Sequence, residues 1–228
     1  MDDEKQVARA DRAAALREPA VEAASRRWWR LLPRLLTAPA TVFRALREDD
    51  EDDVAARQEP LLAIVLLAGM GGAVLTPTWG RLLDDGSIDG IVAVVLTFIG
   101  GSAAGVVVYV LVSLALWIGI RGAGSLEPAR RARQVAGFSA LPIALSLFVT
   151  VPVALIAFGG DFFRSGGSDE DVGRAIVVAL GLAFVAWSLV LLAIGLRTAM
   201  RLPWRGVAVA LGLAAVAVAV VAALPYVL

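Results

Sequence analysis

The chain has no cysteine and no histidine among its 228 residues. That removes disulfides, thiol nucleophiles, thiolate or imidazole metal sites and histidine acid–base chemistry together. Charge is also scarce: 18% of residues are Asp, Glu, Lys or Arg, against about a quarter in an ordinary soluble domain. What charge there is lies unevenly. Thirteen of the 21 acidic residues and eleven of the 21 basic ones precede Pro60, so the net charge of zero averages two unlike halves and says little about partners. The remainder is apolar, with 59% hydrophobic residues and a mean hydropathy of +0.77.

Five stretches are free of any acidic or basic residue: Leu61–Trp79, Ile91–Ile120, Val135–Phe158, Ala175–Leu196 and Val207–Leu228. Each reaches the length of about 20 residues that crosses a bilayer. They predict an all-α polytopic membrane protein with five transmembrane helices. The second stretch would be about 45 Å long as a helix, against a hydrocarbon core of about 30 Å. It must tilt, kink near Gly100-Gly101 or emerge beyond the membrane. The first twenty residues are charged throughout, so no cleavable signal peptide is expected and the first span serves as the entry signal. Basic residues set the orientation. Arg121–Gln134, Arg197–Gly206 and the N-terminal segment together hold 18 of the 21. These are expected in the cytoplasm, with the N-terminus inside, the C-terminus outside and the protein in the cell membrane.

The region before the spans divides in three. Residues 1–24, Ala-rich and charged, have too little apolar surface for a core and read as a disordered tail. Residues 48–59 hold the run Glu48–Asp53 and read as a self-repelling acidic linker; residues 60–228 form the five-helix domain. Between tail and linker, residues 25–47 are amphipathic. At 100° per residue, Trp28, Trp29, Leu32 and Leu35 fall on one arc. Arg30 and Arg34 fall on the opposite arc, with Arg27 at its edge. This is the pattern of a cytoplasmic segment lying in the membrane interface, where each arginine gains about 1 kcal/mol from anionic lipid. Pro33 and Pro39 leave two readings open, one helix or two short ones each started by a proline.

No catalytic, cofactor or metal site is apparent. Gly137-Phe138-Ser139 has no base beside it, no span holds a carboxylate, and the acidic run lacks the Gly and spaced ligands of a calcium loop. The spans do hold small residues. Gly101 and Gly105 allow close backbone approach, for packing within the chain in preference to a homo-oligomer contact, and Ala215, Ala219 and Ala223 repeat the spacing. Trp79 and Tyr226 sit at outer span ends, Trp117 and Trp204 at inner ones. Tyr109 and Trp187 fall near mid-span. Each needs a hydrogen-bond partner there, from Ser102, Ser113, Ser146 or Ser188, or else lines a midplane polar cavity. The third span contains Pro142 and Pro152, tolerated where neighbouring helices satisfy the freed carbonyls.

Two elements suggest a family. One is Thr37-Ala38-Pro39-Ala40-Thr41-Val42-Phe43 ahead of the membrane. The other is Arg130-Arg131-Ala132-Arg133-Gln134-Val135-Ala136-Gly137-Phe138-Ser139-Ala140-Leu141-Pro142 at the entry to the third span. Over residues 35–228 the chain resembles the Yip1-domain family in its prokaryotic form. The resemblance implies five helices and a cytosolic N-terminus, with no catalytic residues to transfer. Eukaryotic members act in vesicle trafficking by binding small prenylated GTPases and each other; their Asp-Leu-x-Gly-Pro element is not present here. The expected function is a non-enzymatic membrane scaffold or adaptor, whose partners are the lipid bilayer and proteins at the cytoplasmic face, without nucleic acid or cofactor. The alternative is a small-solute permease with a cavity near Tyr109 and Trp187.

Overall fold

The structure, a computed structural model, describes residues 31–47, 58–74, 90–158 and 172–227. Arg27, Trp28, Trp29, Arg30, the acidic run, Trp79 and the side chain of Tyr226 lie outside the described residues. The described residues form helices only. In chain order these are α1 (Leu31–Thr37), α2 (Pro39–Arg47), α3 (Gln58–Val74) and α4 (Gly90–Gly122), then α5 (Ala129–Ser139), α6 (Leu141–Phe158), α7 (Val172–Thr198) and α8 (Trp204–Val227).

Three apolar stretches are long enough to cross a membrane: Phe98–Gly122, Ala129–Phe158 and Ala175–Thr198. Gln58–Val74 and Trp204–Val220 are shorter apolar helices. The second expected span runs unbroken for 33 residues, about 50 Å at 1.5 Å per residue. It contains no proline and stops where Gly124 adopts φ +81°, a left-handed conformation that favours glycine.

The third expected span is not one helix. The chain turns at Ala140, whose N–H bonds to the Gly137 carbonyl at 3.2 Å, and α6 restarts with Pro142 as its second residue. Proline is tolerated there because the first turn of a helix has no use for that N–H. Arg121–Gln134, between the second and third expected spans, is correspondingly helical from Ala129 onward, so α5 carries Arg130, Arg131 and Arg133. Its connection to α4 is six residues, Ala123–Pro128.

The long helices stand in a row, α8 against α4, α4 against α3, α3 against α6 and α6 against α7. Helices α7 and α8 share little surface, although five residues join them. At one end of the row α5 wedges against α4, α3 and α7, and α2 lies across α7 and α5. The largest fully buried side chains gather there, Phe43 and Leu46 from α2, Phe138 from α5, Leu116 and Ile120 from α4, Leu191 and Leu196 from α7. Farther along, the faces of the bundle are apolar and exposed, as in Ile99, Val107, Leu182 and Val216, which suits a lipid surround.

The row is drawn tight by glycine. A Cβ added at Gly69 of α3 would lie 2.7 Å from Gly105 Cα and closer still to the Gly101 carbonyl oxygen. One at Gly105 would lie 2.9 Å from the Val65 carbonyl oxygen. Only hydrogen fits on either side, so Gly101 and Gly105 serve the contact between α3 and α4 within the chain. Ala215, Ala219 and Ala223 are exposed.

Candidate functional site

The wedged end of the row is where basic side chains collect. Arg34, Arg44, Arg121, Arg133, Arg197, Arg201 and Arg205 are all exposed there, against two described glutamates, Glu59 and Glu127. Glu127 is already engaged by Arg131, one helical turn on.

The sequence builds this end from amphipathic pieces. In α2, Val42, Phe43 and Leu46 fall on one face at helical spacing and are buried, while Arg44 points out. The described part of the segment, residues 31–47, is two helices, the second begun by Pro39, and its apolar face meets protein. Leu35 is 0% exposed and Leu32 packs half-buried on the same core. The expected lipid-facing arc is therefore turned inward at Leu35. The reason is a socket: a Cβ at Gly195 would lie 3.2 Å from the Phe43 ring and 2.6 Å from Val135 Cγ1, so the missing side chain on α7 seats Phe43.

Arg131 ties this cap to the row. One guanidinium nitrogen pairs with Glu127, and Nη2 donates to the Arg47 carbonyl at 2.8 Å. A cation on the last carbonyl of α2 also complements the negative end of that helix.

Two turns frame the basic surface. After α4 the left-handed position is filled by Gly124; after α7 it is filled by Arg201, with φ +53°. A non-glycine residue there costs about 1–2 kcal/mol. The turn is held by the Leu202 N–H on the Leu196 carbonyl at 3.3 Å and by Arg197 Nη1 on the Leu202 carbonyl at 2.7 Å. Arg197 also lies 5.1 Å from the Trp204 ring centre, and Arg121 lies 5.6 Å from that of Trp117. Both tryptophans thus hold cations at helix ends. A shallow cavity of about 260 Å³ opens at the seam of α4 and α8, lined by Gly122, Ala123, Pro203, Arg205, Gly206 and Val209.

The mid-span aromatics are not brought together. Tyr109 packs half-buried on the core of α4 within electrostatic reach of Arg133. Trp187 is 41% exposed on α7, a helix that does not pack along α4. Among the serines expected to serve them, Ser102 and Ser146 bond to carbonyls of their own helices, Phe98 and Ile143, each at 2.7 Å. Ser113, one turn on from Tyr109, is the serine that pairs with its hydroxyl, whereas Ser188 is buried without a partner among the described residues.

Sequence reading placed Arg131 and Gln134 in a basic stretch without a structural role for either, and did not single out Gly69. The signal for α5 was present: Ala132, Val135, Ala136 and Ser139 recur at helical spacing between the arginines and are all buried. The family model for the Yip1 domain matches residues 34–224, most of the chain. No curated protein and no solved structure matches.

Proposed function

Because the chain belongs to the Yip1 domain family, we propose that it is a non-enzymatic membrane scaffold whose arginine-rich end docks acidic surfaces of cytoplasmic proteins. That it is a multi-pass membrane protein follows from the family and its long apolar helices. The finer reading is five spans, α3, α4, α6, α7 and α8, with the arginine-rich end in the cytoplasm and the C-terminus outside. The sidedness of the basic residues supports that orientation. At about 26 Å, the 17 described residues of α3 fall only slightly short of the hydrocarbon core.

One observation supports docking above all, the presence of Arg201 in a backbone conformation that glycine would adopt without cost. An exposed arginine held there at the expense of stability sits beside Arg197 and Arg205 on a face with little opposing charge. Such a face steers acidic partners and selects against basic ones.

The test uses Arg201→Gly and a triple Arg34→Gln/Arg44→Gln/Arg201→Gln variant, with proximity labelling of neighbours in intact cells. Arg201→Gly should gain about 1 kcal/mol of stability yet lose labelled acidic neighbours, and the triple variant should lose most of them. An unchanged neighbour set in the triple variant would sink the scaffold reading. Orientation is tested separately on the cysteine-free background: a membrane-impermeant thiol reagent should label Ser165→Cys from outside and spare Ser125→Cys. The reverse pattern would overturn it.

A further inference from the structure

The seam between α4 and α8 is tight in one place and open in the next. Where Gly119 meets Ala210 the helices nearly touch, since a Cβ on Gly119 would lie 2.7 Å from Ala210 Cα. At Gly122, one turn farther along α4, nothing lies within 4 Å of a Cβ. Here the cavity of about 260 Å³ opens, lined by Gly122, Ala123, Pro203, Arg205, Gly206 and Val209. Neither packing nor conformation calls for glycine at 122, because Gly124 supplies the left-handed residue of this helix end. Glycine in a helix is also less stable than alanine by about 0.5–1 kcal/mol. What its missing side chain leaves is the open cavity.

The lining joins one cation to an apolar wall. Arg205 is exposed and has no hydrogen bond or ion pair among the described residues. Nearby arginines are occupied, Arg197 by the Leu202 carbonyl and the Trp204 ring and Arg121 by the Trp117 ring. Helices α4 and α8 contain no acidic residue, nor do residues 199–203, and Glu127 is engaged by Arg131. The site thus offers a positive charge with no counter-charge of its own. Its apolar wall continues beyond the cavity. Val209, Leu213, Val216 and Val220 recur at helical spacing on one face of α8 and are all exposed, as is Ile118 one turn before Gly122. From Val209 to Val220 the stripe runs about 16 Å, roughly half of a hydrocarbon core of about 30 Å. A cation at the head of an apolar stripe one leaflet long matches the two ends of a charged lipid.

We propose that the α4–α8 seam holds one anionic phospholipid, its phosphate on Arg205 in the cavity and an acyl chain along Val209, Leu213 and Val216. The guanidinium fork donates to two phosphate oxygens, and Gly122 keeps the space that the headgroup fills. A soluble phosphate would leave both the apolar lining and the stripe unused. The site rests on the chain being a membrane protein. It does not rest on the protein-docking reading, whose test changes Arg34, Arg44 and Arg201.

The test is native mass spectrometry of the full chain in a non-ionic detergent, titrated with phosphatidylglycerol, with diacylglycerol and with phosphatidylglycerol plus excess inorganic phosphate. Phosphatidylglycerol should be retained and diacylglycerol lost, and inorganic phosphate should fail to compete. Arg205→Gln should weaken retention about tenfold, the scale of one charge-assisted contact. Arg44→Gln, on a helix packed against α7 and α5, should leave it unchanged. Gly122→Leu fills the cavity without altering charge and should weaken retention at least as much as Arg205→Gln. Equal weakening by Arg205→Gln and Arg44→Gln would overturn the site in favour of diffuse charge. Undiminished retention by Gly122→Leu would show that the cavity is not the seat. Equal retention of diacylglycerol would remove the role of Arg205, and displacement by inorganic phosphate would assign the cavity to a soluble ligand; either overturns the proposal. Both arginine variants change exposed side chains, so their comparison decides the matter even where Gly122→Leu disturbs the fold.

Discussion

Replacing Gly69 by alanine should loosen the joint between α3 and α4, and the size of the effect can be worked from the geometry. The added Cβ would sit 2.7 Å from Gly105 Cα and 3.0 Å from Gly105 N, where carbon atoms normally approach to about 3.5–4.0 Å. Both atoms are backbone, so no side chain can swing aside and the helices must part by roughly 1 Å. Overpacking of this kind costs about 1–3 kcal/mol. Against it stands the gain of about 1 kcal/mol for alanine over glycine within a helix. Gly72, three residues along the same helix, supplies the comparison, because nothing lies within 4 Å of a Cβ there. Gly72→Ala carries the same helix-propensity gain without the clash, so the difference between the two variants isolates the packing term. We expect Gly69→Ala to lie about 1–3 kcal/mol below Gly72→Ala in reversible denaturation by sodium dodecyl sulfate in mixed micelles, followed by circular dichroism. Gly69→Ala/Gly105→Ala should cost less than the sum of its parts, since the second methyl enters a gap already opened. Equal stability of Gly69→Ala and Gly72→Ala would refute the close-packed joint.

The cap yields two further expectations. Phe43→Ala empties the socket beside Gly195 and should destabilise by about 3–5 kcal/mol, read in the same micelle denaturation; a loss below about 1 kcal/mol would mean that α2 is not part of the core. Arg131→Ala removes both the Glu127 pair and the bond to the Arg47 carbonyl, and should cost about 1–3 kcal/mol. It should also speed tryptic cleavage at Arg44 and Arg47, and unchanged cleavage would argue against the tie.

The helical class and the crowding of arginine were legible in the sequence, because both depend on composition along the chain. The distinction between spans and α5 was not. Three arginines in four residues mark a stretch as water-facing, and that outweighed the apolar positions Ala132, Val135, Ala136 and Phe138, which are buried. For residues 25–47 the amphipathic pattern shows that one face avoids water. It does not say whether lipid or protein covers that face, and for Leu35 the answer is protein. Gly101 and Gly105 were recognisable as a close-contact pair, but their partner Gly69 follows only from which helices adjoin. Tyr109 and Trp187 share a depth by residue count, and depth alone does not make two residues neighbours.

The seat of Phe43 beside Gly195 has a consequence in time. The two residues are about 150 positions apart in the chain, so at a synthesis rate of about 5–20 residues per second the seat follows its occupant by roughly 8–30 s. Throughout that interval α3, α4 and α6 are being synthesised while α2 has no core to join. Its apolar face, Val42, Phe43 and Leu46, is uncovered until α7 is made. The residues that wait uncovered during synthesis thus end as a lid on the finished bundle.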